Sequence, residues 1–216
     1  DKFNARQYAK NCGIPLSPGT DVLVTKENFK DAITSTFEDG DTVMMKAPGA
    51  GGGYGMRKAT VGDGNIHELF EAACKEGNAS GLVIEKFVDD EFEHHEWQSF
   101  GLAGNVYVKK IERNCSKQFK NAKWDQFSDK INGLPENVRD KVSEWSKELG
   151  EAAGQDGPTT HEFLIIKKSD TDENKSYLKH KYSVRDDQLI INGGTIFLPL
   201  YNESNTRLQV EHPVTE

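Results

Sequence analysis

The stretch "KAPGAGGGYGMRK", Lys46 to Lys58, constrains this chain more than any other. Five glycines fall between positions 47 and 55, too many for a helix or a strand interior. "DTVMMK" before it and "MRKATV" after it read as strands, so the segment is expected to be a hairpin with a mobile glycine tip. Glycine lets backbone N–H groups approach phosphate oxygens with no Cβ in the way. The spacing excludes a Walker A loop, because Lys46 precedes the glycines and no Gly-Lys-Ser/Thr follows. It also fails the dinucleotide fingerprint, since no helix follows directly. A lysine on the strand entering such a hairpin suits a loop that closes over a nucleotide. The plain alternative is an exposed flexible hairpin.

Around the hairpin, helices and strands mix without βαβ alternation, which indicates an α+β fold. "NARQYAKNCG" reads as a short helix ended by Gly13. "NIHELFEAACKEG" carries Ile66, Leu69, Phe70 and Ala73 at helical spacing, and "PENVRDKVSEWSKELGEAAG" carries Val138, Val142, Trp145 and Leu149. "SGLVIEKFV", "TTHEFLII" and "TIFLPLYNES" read as strands. "HHEWQSFGLAGNVYVKKIERN" reads as two strands joined by a tight turn around Gly101–Gly104. The polar run at 167–192 separates the last two strands and reads as a surface loop. No internal repeat is present.

The 216 residues, 35% of them hydrophobic, suffice for a substantial core. A membrane-spanning helix needs about 20 consecutive apolar residues, and no such run exists, so no membrane partner is expected. The opening "DKFNARQYAK" lacks the apolar centre of a signal peptide. Three widely separated cysteines, Cys12, Cys74 and Cys115, argue for a reducing compartment and against a disulfide framework or zinc site. Four Asn-x-Ser sequons, at Asn78, Asn114, Asn174 and Asn202, read as chance matches in that setting. A net charge of −8 argues against nucleic acid as a partner. An anionic small molecule needs only a few local cations and backbone donors, and remains compatible.

The closing segment "NESNTRLQVEHPVTE" gathers the strongest chemistry. Glu203 and Asn205 share a face if extended, and both are hard oxygen donors suited to Mg²⁺. Arg207 offers a planar fork to an anion, Glu211 is a candidate base, and Glu162 on another strand offers a second carboxylate. "IEKFV" ends a buried strand on charged residues, for which an edge-strand ion pair is the plain reading. "HHEWQ" sets His94, Glu96 and Gln98 on one strand face and His95 and Trp97 on the other. It is not His-Glu-x-x-His, so zinc has little support, and a polar face toward solvent is expected.

These motifs together resemble the ATP-grasp core of biotin carboxylases, the ATP-using component of biotin-dependent acyl-CoA carboxylases. The resemblance rests on Asp1-Lys2 with Ala5-Arg6, "PGT" at 18–20, the glycine hairpin, "IEKFV", "HHEWQ", "ERNCSKQ" and "NTRLQVEHPVTE". They occur in the family's order along the whole chain, with an insertion at about 167–192. The resemblance implies a linker helix at 1–17, a lid subdomain at 18–88 and the first part of the C-terminal subdomain at 89–216. The N-terminal subdomain and the end of the C-terminal one would lie outside it, so this segment alone is expected to be incomplete as an enzyme.

By the same resemblance, Lys2, Lys46 and the glycine loop (Gly51, Gly52, Gly53) hold ATP phosphates. Glu85, Lys86 and the backbone near Val88 hold adenine, while His94 and Gln118 line the nucleotide side of the cleft. Glu162, Glu203 and Asn205 bind Mg²⁺ or Mn²⁺. Lys123, Arg207, Gln209 and the Val210 backbone hold bicarbonate, with Glu211 as its base. The implied activity is that of an ATP-dependent ligase, which carboxylates biotin through carboxyphosphate. The implied partners are a biotin carboxyl carrier domain and a carboxyltransferase, in an oligomer of the cytoplasm or mitochondrial matrix.

The chain departs from the family at Asn114, Phe119, Lys120, Ala122 and "WDQFSD", a region bordering the phosphates and the bicarbonate. Thr159 and His161 stand where the family prefers glycine and an apolar residue. Two other readings stay open on these grounds: a degenerate ATP-grasp module with a structural or regulatory role, and another ATP-grasp ligase.

Overall fold

The computed structural model describes residues 1–51, 53–109, 112–119, 122–127 and 133–208, with backbone alone at 117–119 and 122–127. The chain divides into two compact units, one of residues 1–7 and 17–89, the other of 8–16 and 90–216. Helix α1 (Lys2–Asn11) contributes residues to each.

In the first unit the sheet order is β2 (Met56–Thr60), β1 (Thr42–Lys46), β3 (Val83–Lys86), all antiparallel. Alternation sends Val43, Met45 and Ile84 into the core, where they meet α2 (Phe29–Thr36) and α3 (Ile66–Glu76). Phe29 and Phe70 join those helices with ring centroids 4.8 Å apart. The opposite face of β1 and β3 carries Lys46 and Glu85, both buried.

The β1–β2 hairpin forms as the sequence predicts. Its glycine segment is fastened at both ends and exposed between. The Ala47 N–H donates to the Gly55 carbonyl (2.9 Å), while Gly49, Gly51, Gly53 and Tyr54 are exposed. Gly55 has φ of +64°, and a Cβ there would lie 2.7 Å from the Ala47 Cβ and 2.9 Å from the Gly77 Cα. Only glycine meets both demands.

The second unit is built on a seven-stranded antiparallel sheet. Its path runs β7 (Ala122–Phe127), β6 (Arg113–Phe119), β4 (Phe92–Leu102), β8 (Gly157–Ser169), β10 (Thr195–Asn205), β9 (Ile190–Asn192), with β5 (Asn105–Val108) paired to β4. Helix α4 (Glu136–Ala152) buries Val138, Val142, Trp145 and Leu149, the stripe predicted from spacing, against β4 and β5. One sheet face carries Trp97, Phe163 and Tyr201 as an aromatic ladder, with centroids 5.6 and 5.7 Å apart. Among the described residues no helix is long and apolar enough to cross a membrane.

Two expectations are corrected. The 167–192 run is not a surface loop: β8 extends to Ser169, helix α5 spans Asp172–Tyr182, and β9 begins at Ile190. The Thr171 hydroxyl caps α5 by accepting the Asn174 N–H (3.1 Å), and acids open the helix while Lys179, His180 and Lys181 close it. Leu178 and Tyr182 are buried. Asp90 anchors the excursion, taking hydrogen bonds from the Tyr182 hydroxyl (2.7 Å) and the Tyr177 hydroxyl (3.0 Å) and ion pairs from Lys168 (2.8 Å) and Lys181 (3.0 Å). Burial pushes the Asp90 carboxyl up, but these donors outweigh it and hold the group well below the usual carboxylate range.

Likewise, "HHEWQ" does not face solvent. His95 to Ser99 are all buried, and the Glu96 and Gln98 side chains find partners inside. The Arg113 guanidinium donates to Glu96 (2.5 Å), and the Gln98 amide donates to the Thr159 carbonyl (2.7 Å).

Candidate functional site

Among the described residues, one polar cluster in each unit contains predicted site residues. In the first, the Glu85 carboxylate is shared between two cations: Lys46 pairs with Oε1, and Arg6 Nη1 lies 3.0 Å from Oε2. All three side chains are about nine-tenths buried. Strand pairing sets Met44 opposite Glu85 and Lys46 opposite Val83, so Lys46 reaches Glu85 diagonally on one face. Arg6 also donates to the Ser17 carbonyl (2.5 Å), tying α1 to the turn that leads into "PGT". A Cβ at Gly19 would meet Arg6 Nη2 at 2.8 Å and the Ile84 carbonyl at 2.7 Å, so that turn lies directly on β3.

Lys2 sits on the glycine loop. Its backbone N–H donates to the Pro48 carbonyl (2.9 Å) and its ammonium to the Ala50 carbonyl. Lys86 pairs with Asp41 (2.7 Å), and Val88 is buried. With one more positive than negative charge, the Lys46–Glu85–Arg6 cluster beside exposed loop N–H groups suits a polyanion.

The second cluster lies on β8 and β10, on the sheet face away from the Trp97–Phe163–Tyr201 ladder. Glu162 pairs with Glu203 across the strands. The Asn205 amide nitrogen donates to both carboxylates, at 2.8 Å from Glu162 Oε1 and 3.1 Å from Glu203 Oε1. His94 Nε2 lies 2.8 Å from Glu162 Oε2.

The structure therefore brings Glu162, Glu203 and Asn205 together and adds His94, which had been placed on the nucleotide side. Two carboxylates and an amide form a hard, oxygen-rich donor set that fits Mg²⁺ or Mn²⁺. The ligand atoms of His94, Glu96 and Glu162 also lie within 4.8 Å of one another, but Glu96 is held by the buried Arg113.

The core face behind this cluster is polar too. His161, 1% exposed, lies between Ser99 Oγ (2.9 Å from Nε2) and Ser204 Oγ (2.8 Å from Nδ1). Burial pushes the His161 imidazole down to about 4, so it is neutral near pH 7.

The remaining predicted residues fare unevenly. Gly51 and Gly53 are exposed in the loop, whereas Gly52 lies outside the described residues. Gln118 on β6 and Lys123 on β7 are paired residues in the strand register. Arg207 is exposed, and its carbonyl accepts the Thr160 hydroxyl (3.0 Å). Gln209, Val210 and Glu211 lie outside the described residues. Sequence reasoning missed Arg6 as a partner of Glu85. The available signal was its i,i+4 spacing from Lys2 on one helix face.

Comparison with known proteins adds three findings. Residues 1–173 match the family described as the carbamoyl-phosphate synthase L chain, ATP binding domain. Over 98% of the chain the sequence is 31% identical to biotin carboxylase 1 of Bacillus subtilis, covering 41% of that protein. It is 33% identical to the chloroplastic biotin carboxylase of Arabidopsis thaliana, over 100% of this chain and 35% of that one. The chain thus spans about two fifths of these relatives. Among solved structures, it superposes on the biotin carboxylase domain of the Hydrogenobacter thermophilus 2-oxoglutarate carboxylase, crystallised with MgADP, ADP and bicarbonate. The TM-score is 0.70 at 25% identity, over 99% of this chain and 41% of that one. The α+β architecture is the ATP-grasp fold of those domains.

Proposed function

The chain belongs to the family of carbamoyl-phosphate synthase L chain ATP-binding domains, and we propose that it is the ATP- and metal-binding part of a biotin carboxylase, working within a longer protein. The observation that carries this reading is the convergence of Glu162, Glu203 and Asn205 on one sheet face, with an amide bridging two carboxylates.

In this reading residues 18–88 act as a lid subdomain on a linker helix (1–17), and 89–216 supply the metal and bicarbonate residues. Lys2, Lys46 and the loop N–H groups bind the phosphates, and Glu85, Lys86 and the Val88 backbone bind adenine. His94 and Gln118 line the nucleotide. Glu162, Glu203 and Asn205 hold Mg²⁺, which when bound neutralises charge building on the γ-phosphoryl oxygens. Arg207, Lys123, Gln209 and the Val210 backbone orient bicarbonate in line with that phosphorus. Glu211 takes the bicarbonate proton as its oxygen attacks, so ATP and bicarbonate become ADP and carboxyphosphate. Carboxyphosphate then splits into CO₂ and phosphate, biotin on a carrier domain binds the CO₂ as its N1′ proton passes to the phosphate, and a carboxyltransferase uses the product.

The test is ADP release by the longest native chain containing this segment, with Mg²⁺ and free biotin, with and without bicarbonate. The expected result is strong bicarbonate stimulation that collapses in Arg207→Ala and Glu211→Gln. ADP release that stays flat while ATP still binds would overturn the carboxylase reading and leave a degenerate ATP-binding module.

A further inference from the structure

Strand β10 breaks its own alternation at Asn202. Tyr201 pairs with Phe163, yet Glu203 pairs with the very next residue of β8, Glu162, so one residue of β10 is extra. In a regular strand residues two apart share a face, and one inserted residue reverses that parity. Tyr201 accordingly stacks on Phe163 in the core (5.7 Å), while Glu203 and Asn205 emerge on the opposite face beside Glu162. With regular pairing, Glu203 and Asn205 would follow Tyr201 into the core.

A chain of hydrogen bonds, buried at His161 and Ser99 and half-buried at Ser204 and Gln155, holds this bulge from behind. The Tyr201 hydroxyl donates to Ser204 Oγ (2.7 Å), spanning the extra residue, and Ser204 Oγ meets His161 Nδ1 (2.8 Å). His161 Nε2 meets Ser99 Oγ (2.9 Å), and Ser99 donates to Gln155 Oε1 (3.1 Å), whose amide nitrogen donates to the Gly157 carbonyl (2.9 Å). One proton arrangement satisfies the run from end to end, with Tyr201 donating to Ser204, Ser204 to Nδ1, Nε2–H to Ser99, and Ser99 to Gln155. The run crosses β10, β8 and β4 and is fixed at the loop that follows α4. His161 and Ser99 are at most 2% exposed, so each lost bond leaves a buried polar atom unsatisfied.

We propose that His161, Ser204 and Tyr201 are positioning residues: a buried polar clamp that holds the Asn202 bulge and so keeps Glu203 and Asn205 opposite Glu162 for a divalent cation. The proposal rests on the metal-binding reading of those three residues.

The experiment titrates Mn²⁺ into the longest native chain at saturating ADP, following free Mn²⁺ by electron paramagnetic resonance. ADP affinity in EDTA is measured separately. His161→Phe and Ser204→Ala are each expected to weaken Mn²⁺ binding about tenfold, the scale on which groups supporting metal ligands act. The double variant should add little beyond either single one. His161→Gln should recover part of the loss, and metal-free ADP affinity should stay within about twofold of the parent in every variant.

Mn²⁺ affinity within about twofold of the parent in both single variants, alongside a large loss in Glu162→Gln, would overturn the clamp and leave the metal site standing. Unchanged Mn²⁺ binding in Glu162→Gln would instead remove the metal reading, and the clamp with it. Should His161→Phe fail to fold, Ser204→Ala, which deletes one hydroxyl, decides the matter alone.

Discussion

Glu85 and Glu162 are both buried carboxylates on antiparallel strands, yet they are solvated by the protein in different ways. Glu85 meets an ammonium and a guanidinium, one at each oxygen. Glu162 meets an imidazole and an amide, and the same amide also holds a second carboxylate, Glu203. The first arrangement carries its countercharge in fixed side chains and leaves a surplus of positive charge. The second assembles oxygen donors that share a single amide. Each arrangement suits a charge of opposite sign, the first an anion and the second a cation. Burial alone therefore says little about a carboxylate's task. The charge of its partners says more.

The contrast can be broken most directly at Glu85. Glu85→Gln leaves Lys46 and Arg6 buried without their shared anion and is expected to cost about 3–5 kcal/mol of stability, read from denaturant unfolding. Glu162→Gln should do the reverse in kind: stability within about 1 kcal/mol of the parent, but Mg²⁺-dependent nucleotide turnover lowered about a hundredfold or more. Equal destabilisation by the two variants would erase the distinction.

Asp90 extends the first arrangement to a third carboxylate, since its partners are two lysines and two tyrosines. Asp90→Asn keeps the shape and removes the charge, for an expected loss of about 2 kcal/mol in unfolding experiments with no change in ADP affinity. Glu93 gives the smallest effect. The hydrogen bond from His95 lowers its carboxyl most, against burial and with help from Lys167, from 4.5 to about 2. A carboxyl lowered on folding stabilises above its unfolded value and loses that contribution as pH falls from 4.5 toward 2. With the side chain 37% exposed, solvent screening keeps the contribution below about 1 kcal/mol. Glu93→Gln should flatten that part of the acid-unfolding curve slightly.

Helix α4 was legible because four apolar residues recur on one stripe of a polar sequence. The glycine hairpin was legible because its composition allows nothing else between two strands. Helix α5 was hidden by its polarity: only Leu178 and Tyr182 are buried, and what holds it is Asp90, more than eighty residues away. The sequence signal was the Thr171 cap with acids at the start and bases at the end, which propensity alone under-weights. "HHEWQ" misled for a related reason, since its Glu96 and Gln98 are satisfied by Arg113 and Thr159, remote positions that local pattern cannot see. At the candidate site, Glu203 and Asn205 were placed on one face by simple alternation. The bulge that brings that face to Glu162 depends on pairing between distant strands, and it was invisible in the sequence.

The pairing of β8 with β10 also determines where this chain can change length. The excursion 170–194 leaves and returns at Ser169 and Thr195, which face each other in the register. Residues gained or lost between Asp170 and Val184 disturb no pair of β8 with β10. At the other end the pairing is sensitive: were Asn202 drawn into the ladder opposite Glu162, Glu203 and Asn205 would turn toward the aromatic ladder and the donor set would be lost in a single step. Constraint is thus polarised along one hairpin: the end remote from the donors is set by the packing of the excursion, and the other is held to its register.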